Sequence, residues 1–446
     1  MKLKMNPNIL FIVVDSLRAD KFYGDQKTSV TPNIDKLIKK GAYFSESCSS
    51  SDVTGICLGN IFTGMFSQKT GIIQRKFNTT IKTIFDILKE NNYETYATVP
   101  NLTWFNQFTE RFDHVDTFYA ANSTQNGLTD GVGKTILDRL NSNQMKSPWI
   151  YYIHLEDLHQ KIVVPEKYDK AEYGETNYEK MLSCIDEWIG KILDQCNLNN
   201  TLIVITSDHG DYIPYVDTFG QIPRIQSFMK KGKKIFPQLE PIGVKLFIIL
   251  RNIIMKQQQR ELKKQLSSKQ IRTLRARGDK TLDDETLKVP LLLVGNKITP
   301  KIYNDFVSGI DIFSTILSYL KIKIDNSNID GRDLNIILNG GKLKEIPLFI
   351  QSGDKQEQKN SLVVGIRTSQ FKYYRSRNNP KENLHLYDLE KDPLENNNIS
   401  HLFPQIIGSM EQILLKYEKV QLITEMEENN DQNKKIEDEL KKMGYL

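Results

Sequence analysis

The chain has 446 residues, of which 39% are hydrophobic and 26% are charged, and its net charge is +5, a composition typical of a globular protein. No run of 18 apolar residues occurs, so a membrane-spanning helix is not expected. The four cysteines form no Cys-x-x-Cys or Cys/His cluster, which argues against a zinc knuckle or disulfide framework; with no secretory signal, we expect a reducing, cytoplasmic location.

Two apolar runs of the chain end in acidic residues. Asn8–Val14 is followed by Asp15, and residues 202–207 are followed by Asp208 and His209. Continuous β-branched runs of this length predict central strands of a parallel sheet, buried on both faces. Because ligands bind outside the carboxyl ends of such strands, Asp15, Asp208 and His209 are expected to converge and to hold a divalent metal. Taken singly, each segment would equally fit a helix N-cap or a turn.

Predicted helices alternate with predicted strands along most of the chain. The further strands are residues 42–44, 93–99, 149–154 and 288–294, and the helices are residues 32–40, 81–90, 129–140 and 178–193. This alternation predicts a doubly wound α/β sheet.

The segment 224–280 breaks this alternation. It holds 16 Lys or Arg residues against three acids, a local charge of +13. One interpretation is a helical insertion, at about residues 214–278, with a solvated basic face. The other is peripheral contact with an anionic membrane or a polyanionic substrate, where each basic residue contributes about 1 kcal/mol. Nucleic acid is not expected, because no aromatic-interleaved basic motif accompanies the charge.

A smaller α+β unit is predicted after this region. Its elements are a hairpin at 361–375, a strand at 384–389 and a helix at 403–419. The predicted organisation is a catalytic domain at 1–346, a C-terminal subdomain at 347–420 and a charged tail at 421–446.

Six segments of the chain, in their order, resemble the sulfatase branch of the alkaline phosphatase superfamily. They are NILFIVVDSLRAD, TPNIDKLIKKGAYF, IFTG, ITSDHGD, LKVPLLLVG and GIRTSQFKYYR with LHLYDLEKDPLENNN. The resemblance covers roughly residues 8–420 without the basic insertion. It implies a mainly parallel sheet flanked by helices, with a small α+β C-terminal subdomain.

The resemblance also indicates a nucleophile, nine residues before the Thr of the Thr63-Gly64 pair, which is Thr54. Sulfatases proper carry a Cys or Ser there, within Cys/Ser-x-Pro-x-Arg, which is oxidised to formylglycine. In this chain Ile56 and Leu58 replace the Pro and the Arg, and Thr54 cannot become formylglycine. Threonine at this position is similar to the family's phosphodiesterases and its phosphoglycol or phosphoethanolamine transferases. A nucleophile at a helix N-terminus gains from the helix dipole and from free amides.

The metal ligands implied by the resemblance are Asp15, Thr54, Asp208 and His209, with Ser16 in place of a second Asp that many sulfatases carry. His209 in place of Asn shifts the preference from calcium towards Mn, Zn or Fe, while Ca and Mg stay open. We expect one divalent metal ion, because few histidines remain for a second.

Two further residues are expected in the site. His159 lies in a segment similar to the family's His-x-x-Asp-x-His and takes the place of a His that contacts the ester or its leaving group. A hydrogen-bonded histidine at a strand end is the alternative, and this alternative has more weight for His154. Lys280 precedes the Val-Pro strand, where relatives place a His or Lys that faces the anion.

The sequence therefore predicts a sulfatase-family, metal-dependent hydrolase or transferase. Its substrate would be a phosphate diester, phosphonate or sulfate ester, as a small molecule or linked to a glycan or lipid. Two alternatives stay open: a true sulfuric ester hydrolase with a nucleophile other than formylglycine, and a catalytically silent binder of anionic glycans or lipids. The sequence does not predict the oligomeric state.

Overall fold

The computed structural model describes residues 6–74, 76–118, 127–142, 145–159, 162–213, 281–353 and 362–423. The described residues up to Asp211 and from 281 onward belong to one compact unit. The strands are β1 Asn8–Val14, β2 Ala42–Phe44, β3 Ser47–Cys48, β4 Glu94–Pro100, β5 His114–Phe118, β6 Trp149–Leu155, β7 Thr201–Thr206, β8 Leu291–Val294, β9 Lys301–Tyr303, β10 Val307–Ser308, β11 Leu348–Gln351, β12 Val363–Arg367, β13 Phe371–Ser376 and β14 His385–Asp388. The helices are α1 Ala19–Phe22, α2 Pro32–Ile38, α3 Thr54–Thr63, α4 Ser67–Thr70, α5 Ile84–Glu90, α6 Thr103–Thr109, α7 Val132–Asn141, α8 Asn177–Asp194, α9 Asp284–Leu287, α10 Asp311–Tyr319, α11 Asn335–Leu338 and α12 Pro404–Glu418.

An eight-stranded sheet in the order β5-β4-β6-β1-β7-β8-β2-β9 forms the core. The five neighbouring strands β5, β4, β6, β1 and β7 all run parallel, which confirms the predicted fold class. β8 was predicted as one more buried strand of a doubly wound sheet, but it runs antiparallel to both β7 and β2. A short apolar run is equally suited to burial in either direction, so its sequence does not reveal its orientation.

The register of the central strands aligns their carboxyl ends. All seven residues of β1 are buried, and β1 lies between β6 and β7. Val14 is paired with Leu155 and Val13 with Thr206, and the amide of Asp15 continues the ladder by donating to Leu155 O at 2.8 Å. The residues that follow β1, β6 and β7 therefore meet at one edge of the sheet.

The helix α3, which the sequence predicted to end at Thr63-Gly64, is fixed by aromatic packing. Phe62 packs edge-on against Tyr152 of β6 with 5.2 Å between ring centroids, a contact of about 0.5–1.5 kcal/mol beyond its buried area. Gly64 ends the helix with φ of +67° and its amide bonded to Asn60 O at 2.9 Å, a backbone shape that favours glycine. The aromatic rings around Phe62 and Tyr152 belong to Phe85, Phe108 and Phe112. This packing brings the first residue of α3 to the carboxyl edge of the sheet.

The C-terminal part forms a second, antiparallel sheet in the order β11-β12-β13-β14, with α12 beside it. This confirms the predicted small α+β subdomain and its hairpin. The exact domain boundaries stay predictions. The basic insertion at 214–278 lies outside the described residues, as does the tail beyond residue 423.

In the part of the chain that the structure describes, no helix is long and apolar enough to cross a lipid bilayer. The cytoplasmic location and the peripheral contact of residues 224–280 with an anionic membrane stay predictions.

Candidate active site

Three of the predicted ligands meet at the carboxyl edge of the main sheet. Asp15, Asp208 and His209 are buried, and one ligand atom from each lies within 4.8 Å of the others. β1 and β7 place these residues, because each side chain follows the last residues of a fully buried strand. Water is thus largely kept from two carboxylates and an imidazole that lie side by side.

The two oxygens of Asp15 have different surroundings. Oδ1 accepts a hydrogen bond from Ser16 Oγ at 2.6 Å. Oδ2 accepts one from Thr54 Oγ1 at 3.3 Å and lies 3.5 Å from His154 Nε2. Burial acts to raise the pKa of Asp15, but the interaction with His154 and the nearby histidine charges, including His159, hold that pKa well below its ordinary value. Asp15 therefore faces the site as a carboxylate.

Ser16, which stands where many sulfatases carry a second Asp, has an unusual backbone conformation. Its φ is +66°, a left-handed conformation that costs a residue other than glycine about 1–3 kcal/mol. Two contacts hold it there: its amide donates to Asp208 Oδ1 at 3.3 Å, and Tyr178 Oη donates to its carbonyl at 2.8 Å. The turn that follows β1 is thus fixed directly against Asp208.

Asp208 and His209 present one electron-pair donor atom each. Asp208 Oδ1 accepts the amide proton of His209 at 2.9 Å. Its Oδ2 is buried, accepts no hydrogen bond from any described residue, and lies 3.4 Å from His209 Nε2. His209 Nδ1 lies 2.9 Å from the carbonyl of Gly210, which can only accept, so in the neutral imidazole Nε2 carries the lone pair. An unpartnered carboxylate oxygen beside an imidazole lone pair fits a bound cation.

Thr54 is the first residue of α3, as the spacing to Thr63 predicted. Its Oγ1 lies 3.2 Å from His209 Nε2 as well as 3.3 Å from Asp15 Oδ2. The ten-residue helix directs its N-terminal amides and the positive end of its dipole towards the same point. A hydroxyl and an anion-stabilising helix end therefore adjoin the cluster of Asp15, Asp208 and His209.

The cysteines of the same loop, Cys48 and Cys57, are both buried. Cys57 Sγ donates to Ser51 O at 3.2 Å and accepts from Ser49 Oγ at 3.0 Å. Burial raises the pKa of the Cys57 thiol well above its ordinary value, and burial raises the pKa of Cys48 to about 12. Leu58, which replaces the family's arginine, lies in the hydrophobic core. Neither thiol is therefore suited to act as the nucleophile.

His154, at the end of β6, is hydrogen-bonded to Tyr152 and also lies beside Asp15. Burial raises the pKa of Tyr152, so Tyr152 keeps its proton and can donate to His154 Nδ1 over 3.0 Å. The Nε2–H of His154 then faces Asp15 Oδ2. The strand register could have revealed this, because Val13 and His154 are paired neighbours.

His159 is buried just after β6, where its backbone amide bonds to Glu156 O at 2.9 Å. The charge of its ring acts to lower the pKa of Asp15. The role of His159 in proton transfer stays a prediction. Lys280, the other predicted anion contact, lies outside the described residues.

The chain matches known families over most of its length. The sulfatase family matches residues 7–322, and a second family, N-sulphoglucosamine sulphohydrolase, C-terminal, matches residues 278–420. The chain is 31% identical to arylsulfatase K of Bos taurus over 142 residues, which are 30% of this chain and 26% of that protein. It is 26% identical to an uncharacterized protein of Haemophilus influenzae over 207 residues, 46% of this chain and 32% of that protein. The chain thus spans about a third or less of the length of these curated relatives.

Solved structures show the same fold. The phosphonate monoester hydrolase of Agrobacterium radiobacter is similar with a TM-score of 0.65 and 14% identity, over 92% of this chain and 95% of that one. At this identity the likeness concerns the fold alone. The family matches cover well over half of the chain, and the chain therefore belongs to the sulfatase family.

Proposed function

We propose that this protein is a metal-dependent ester hydrolase, or a transferase, that uses Thr54 as its nucleophile and prefers phosphate diesters or phosphonate monoesters to sulfate esters. The position of Thr54 Oγ1 carries the proposal: it lies 3.3 Å from Asp15 Oδ2 and 3.2 Å from His209 Nε2, at the start of α3. The cysteines of the loop are buried, and the Cys57 thiol is already hydrogen-bonded to Ser51 O.

The residues present fit one divalent metal ion, held by Asp15, Asp208, His209 and the Thr54 oxygen. The fit rests on the buried Asp208 Oδ2 without a hydrogen-bond partner among the described residues, and on the His209 tautomer set by Gly210. Mixed oxygen and nitrogen donors favour Mn, Zn or Fe, with Ca or Mg still open. When bound, the metal would act as a Lewis acid that stabilises negative charge on the reacting oxygens.

The protein's own groups suffice to describe the displacement. Asp15 Oδ2 orients the Thr54 hydroxyl by accepting its hydrogen bond, and it takes up the hydroxyl proton as Oγ1 attacks, while the N-terminal amides of α3 stabilise the anionic ester. Thr54 Oγ1 attacks phosphorus as the bond to the leaving oxygen breaks, and His159 protonates that oxygen. Water then releases the esterified Thr54, or an alcohol does so in a transferase.

The preference for phosphorus rests on the chemistry of threonine. A formylglycine hydrate can expel sulfate by elimination through its second hydroxyl group, and Thr54 has no second hydroxyl. An esterified Thr54 must instead be released by attack at the transferred group, which is familiar for phosphoryl-enzymes. The arginine that accompanies formylglycine is the buried Leu58 in this chain. Similar proteins are named for sulfate esters and for phosphonate monoesters. Of these two substrate classes, a threonine nucleophile favours the phosphonate esters.

Replacing Thr54 by the isosteric valine tests the proposal. Thr54→Val should lower kcat on an aryl phosphonate by about 10³-fold or more, because loss of a nucleophile removes the covalent route. Cys57→Ala is the matched control from the same loop and should keep most of the activity. Rapid quenching and peptide mass spectrometry should find the transferred group on Thr54. Turnover that survives Thr54→Val but not Cys57→Ala would refute the assignment.

A further inference from the structure

Three loops of the site are joined by one short backbone segment, residues 286–288, which we name the carbonyl strip. Its carbonyl oxygens accept, in chain order, the amide protons of Gly210 at 2.8 Å, Ser49 at 2.6 Å and Ala19 at 3.1 Å. These donors are far apart in the sequence, yet their acceptors are consecutive. The carbonyl strip therefore fixes the positions of three separate chain segments relative to one another.

Each donor belongs to a segment that carries part of the site. Gly210 directly follows His209, and Ala19 lies four residues after Asp15. Ser49 lies in the loop that leads to Thr54. A shift of the carbonyl strip would therefore move the three segments relative to one another. A displacement of about 1 Å at a reacting group can lower a rate by roughly 100-fold.

The carbonyl strip is attached to the C-terminal subdomain through Asp284, at the start of α9. Asp284 Oδ1 lies 2.8 Å from Lys372 Nζ, and its Oδ2 lies 3.2 Å from Arg367 Nη2. Lys372 and Arg367 are cross-strand neighbours on β13 and β12, and their side chains are 0% and 2% exposed. Glu395 completes this cluster: it pairs with Lys372, and its Oε2 accepts the amide proton of Asp284 at 2.8 Å.

Stability alone is a weak reason for so many buried charges. A buried ion pair often contributes no more than an apolar contact of the same size, whereas the loss of one partner is strongly destabilising. Burial acts to raise the pKa of Asp284, but the Lys372 and Arg367 charges hold it well below its ordinary value, so Asp284 is anionic. Such a pair fixes the position of α9 more narrowly than apolar side chains would.

We propose that Asp284 is a positioning residue of the active site: Lys372 and Arg367 of the C-terminal sheet hold it, and it holds the carbonyl strip that sets the loops of Asp15, Thr54 and His209. The C-terminal subdomain thereby acts on catalysis without touching the substrate. The kinetic part of this proposal rests on the proposed function, while the structural part does not.

Hydrogen exchange tests the structural part, with Asp284→Asn against Arg375→Met. Arg375 is a matched control, because it lies on β13 three residues from Lys372, on the opposite face, and its buried guanidinium pairs with Glu411 and Glu418 of α12. Both variants should lower the melting temperature. Only Asp284→Asn should speed amide exchange, by about tenfold or more, in peptides that contain Ala19, Ser49 or Gly210. Unchanged exchange in Asp284→Asn, or an equal increase in Arg375→Met, would overturn the proposal.

Kinetics test the catalytic part. With an aryl phosphonate, Asp284→Asn should lower kcat by about tenfold or more at a KM within about threefold, and Asp284→Glu should recover part of the loss. Arg375→Met should keep the wild-type kcat below its melting temperature. If Asp284→Asn does not fold, the double variant Lys372→Met with Glu395→Gln replaces it, since it removes both members of the Lys372–Glu395 pair and leaves Asp284 paired with Arg367.

The two readouts separate this proposal from the proposed function. One outcome is that Asp284→Asn speeds exchange only in the three segments while the wild-type protein shows no ester activity. That result would support the role of the carbonyl strip and count against the proposed function. If the wild-type protein is active and the two variants Asp284→Asn and Arg375→Met have the same kcat, the proposed function stands and the positioning role of Asp284 is overturned.

Discussion

Asp208→Asn should abolish tight metal binding without unfolding the protein. The amide oxygen of asparagine can accept the same backbone protons as Asp208 Oδ1, from His209 at 2.9 Å and from Ser16 at 3.3 Å. The new amide nitrogen would take the place of Oδ2, 3.4 Å from His209 Nε2, and can donate to its lone pair. The metal-free variant should therefore be at least as stable as the metal-free wild type.

The size of the effect follows from the loss of a charged ligand. Replacing groups that merely support metal ligands lowers affinity by about 10–100-fold, so removing the buried carboxylate itself should cost at least about 100-fold. This corresponds to about 2.7 kcal/mol of binding free energy. At a metal concentration 100 times the wild-type Kd, the wild type gains about 2.7 kcal/mol of stability, most of which Asp208→Asn should lose.

Titration calorimetry with Mn²⁺ and melting curves with and without Mn²⁺ measure this effect. Asp186→Asn is the control, because Asp186 is equally buried and accepts the amide proton of Ile34 at 2.7 Å, yet it lies outside the ligand cluster. It should keep the wild-type Kd. Equal Mn²⁺ affinity in Asp208→Asn and the wild type would refute the assignment of the metal site.

Three further predictions concern other groups of the structure. Burial raises the pKa of the Cys48, Cys184 and Cys196 thiols to about 12, and it raises that of Cys57 well above its ordinary value. A disulfide reagent at pH 8 should therefore label the folded protein slowly and leave its activity intact. Rapid labelling with loss of activity would contradict this prediction. His159→Gln should lower kcat by about 100-fold or more for a phenyl ester and much less for a 4-nitrophenyl ester, whose leaving group needs no proton; equal losses would argue against a general acid. Burial raises the pKa of Glu395, which lies next to Lys372 and Asp284, from 4.5 to about 8. The folded state therefore binds the carboxyl proton of Glu395 more tightly than the unfolded state does. The free energy of unfolding should fall as the pH rises between these two values. Melting curves of Glu395→Gln should lack that component, and an unchanged pH dependence would show that Glu395 is not its source.

The parts of the site that the sequence predicted share a simple physical origin. Runs such as Asn8–Val14 are apolar throughout because β1 is buried on both faces, and only then does an acidic residue at the strand end become informative. The spacing from Thr54 to Thr63 is likewise a property of one helix, α3. The strand pattern thus predicted the cluster of Asp15, Asp208 and His209 and most of the strands, whereas Thr54 was identified through the resemblance to the sulfatase family.

Features that depend on distant pairs were not predictable in this way. The antiparallel direction of β8 depends on its partners, and the contact of His154 with Asp15 depends on strand register. Lys372 sits in a hairpin strand, where a lysine is ordinarily expected to be exposed, yet it is fully buried by its pairing with Asp284, 88 positions earlier. No periodicity within either segment indicates that contact.

Parallel kinetics on matched 4-nitrophenyl esters test the central claim most directly. With metal supplied, we expect kcat/KM for a phosphonate monoester or a phosphodiester to exceed that for the sulfate by about tenfold or more. This ratio corresponds to about 1.4 kcal/mol of transition-state stabilisation. Thr54→Val should abolish the activity on every ester. A kcat/KM for the sulfate equal to or above that for both phosphorus esters would contradict the account and favour a true sulfuric ester hydrolase.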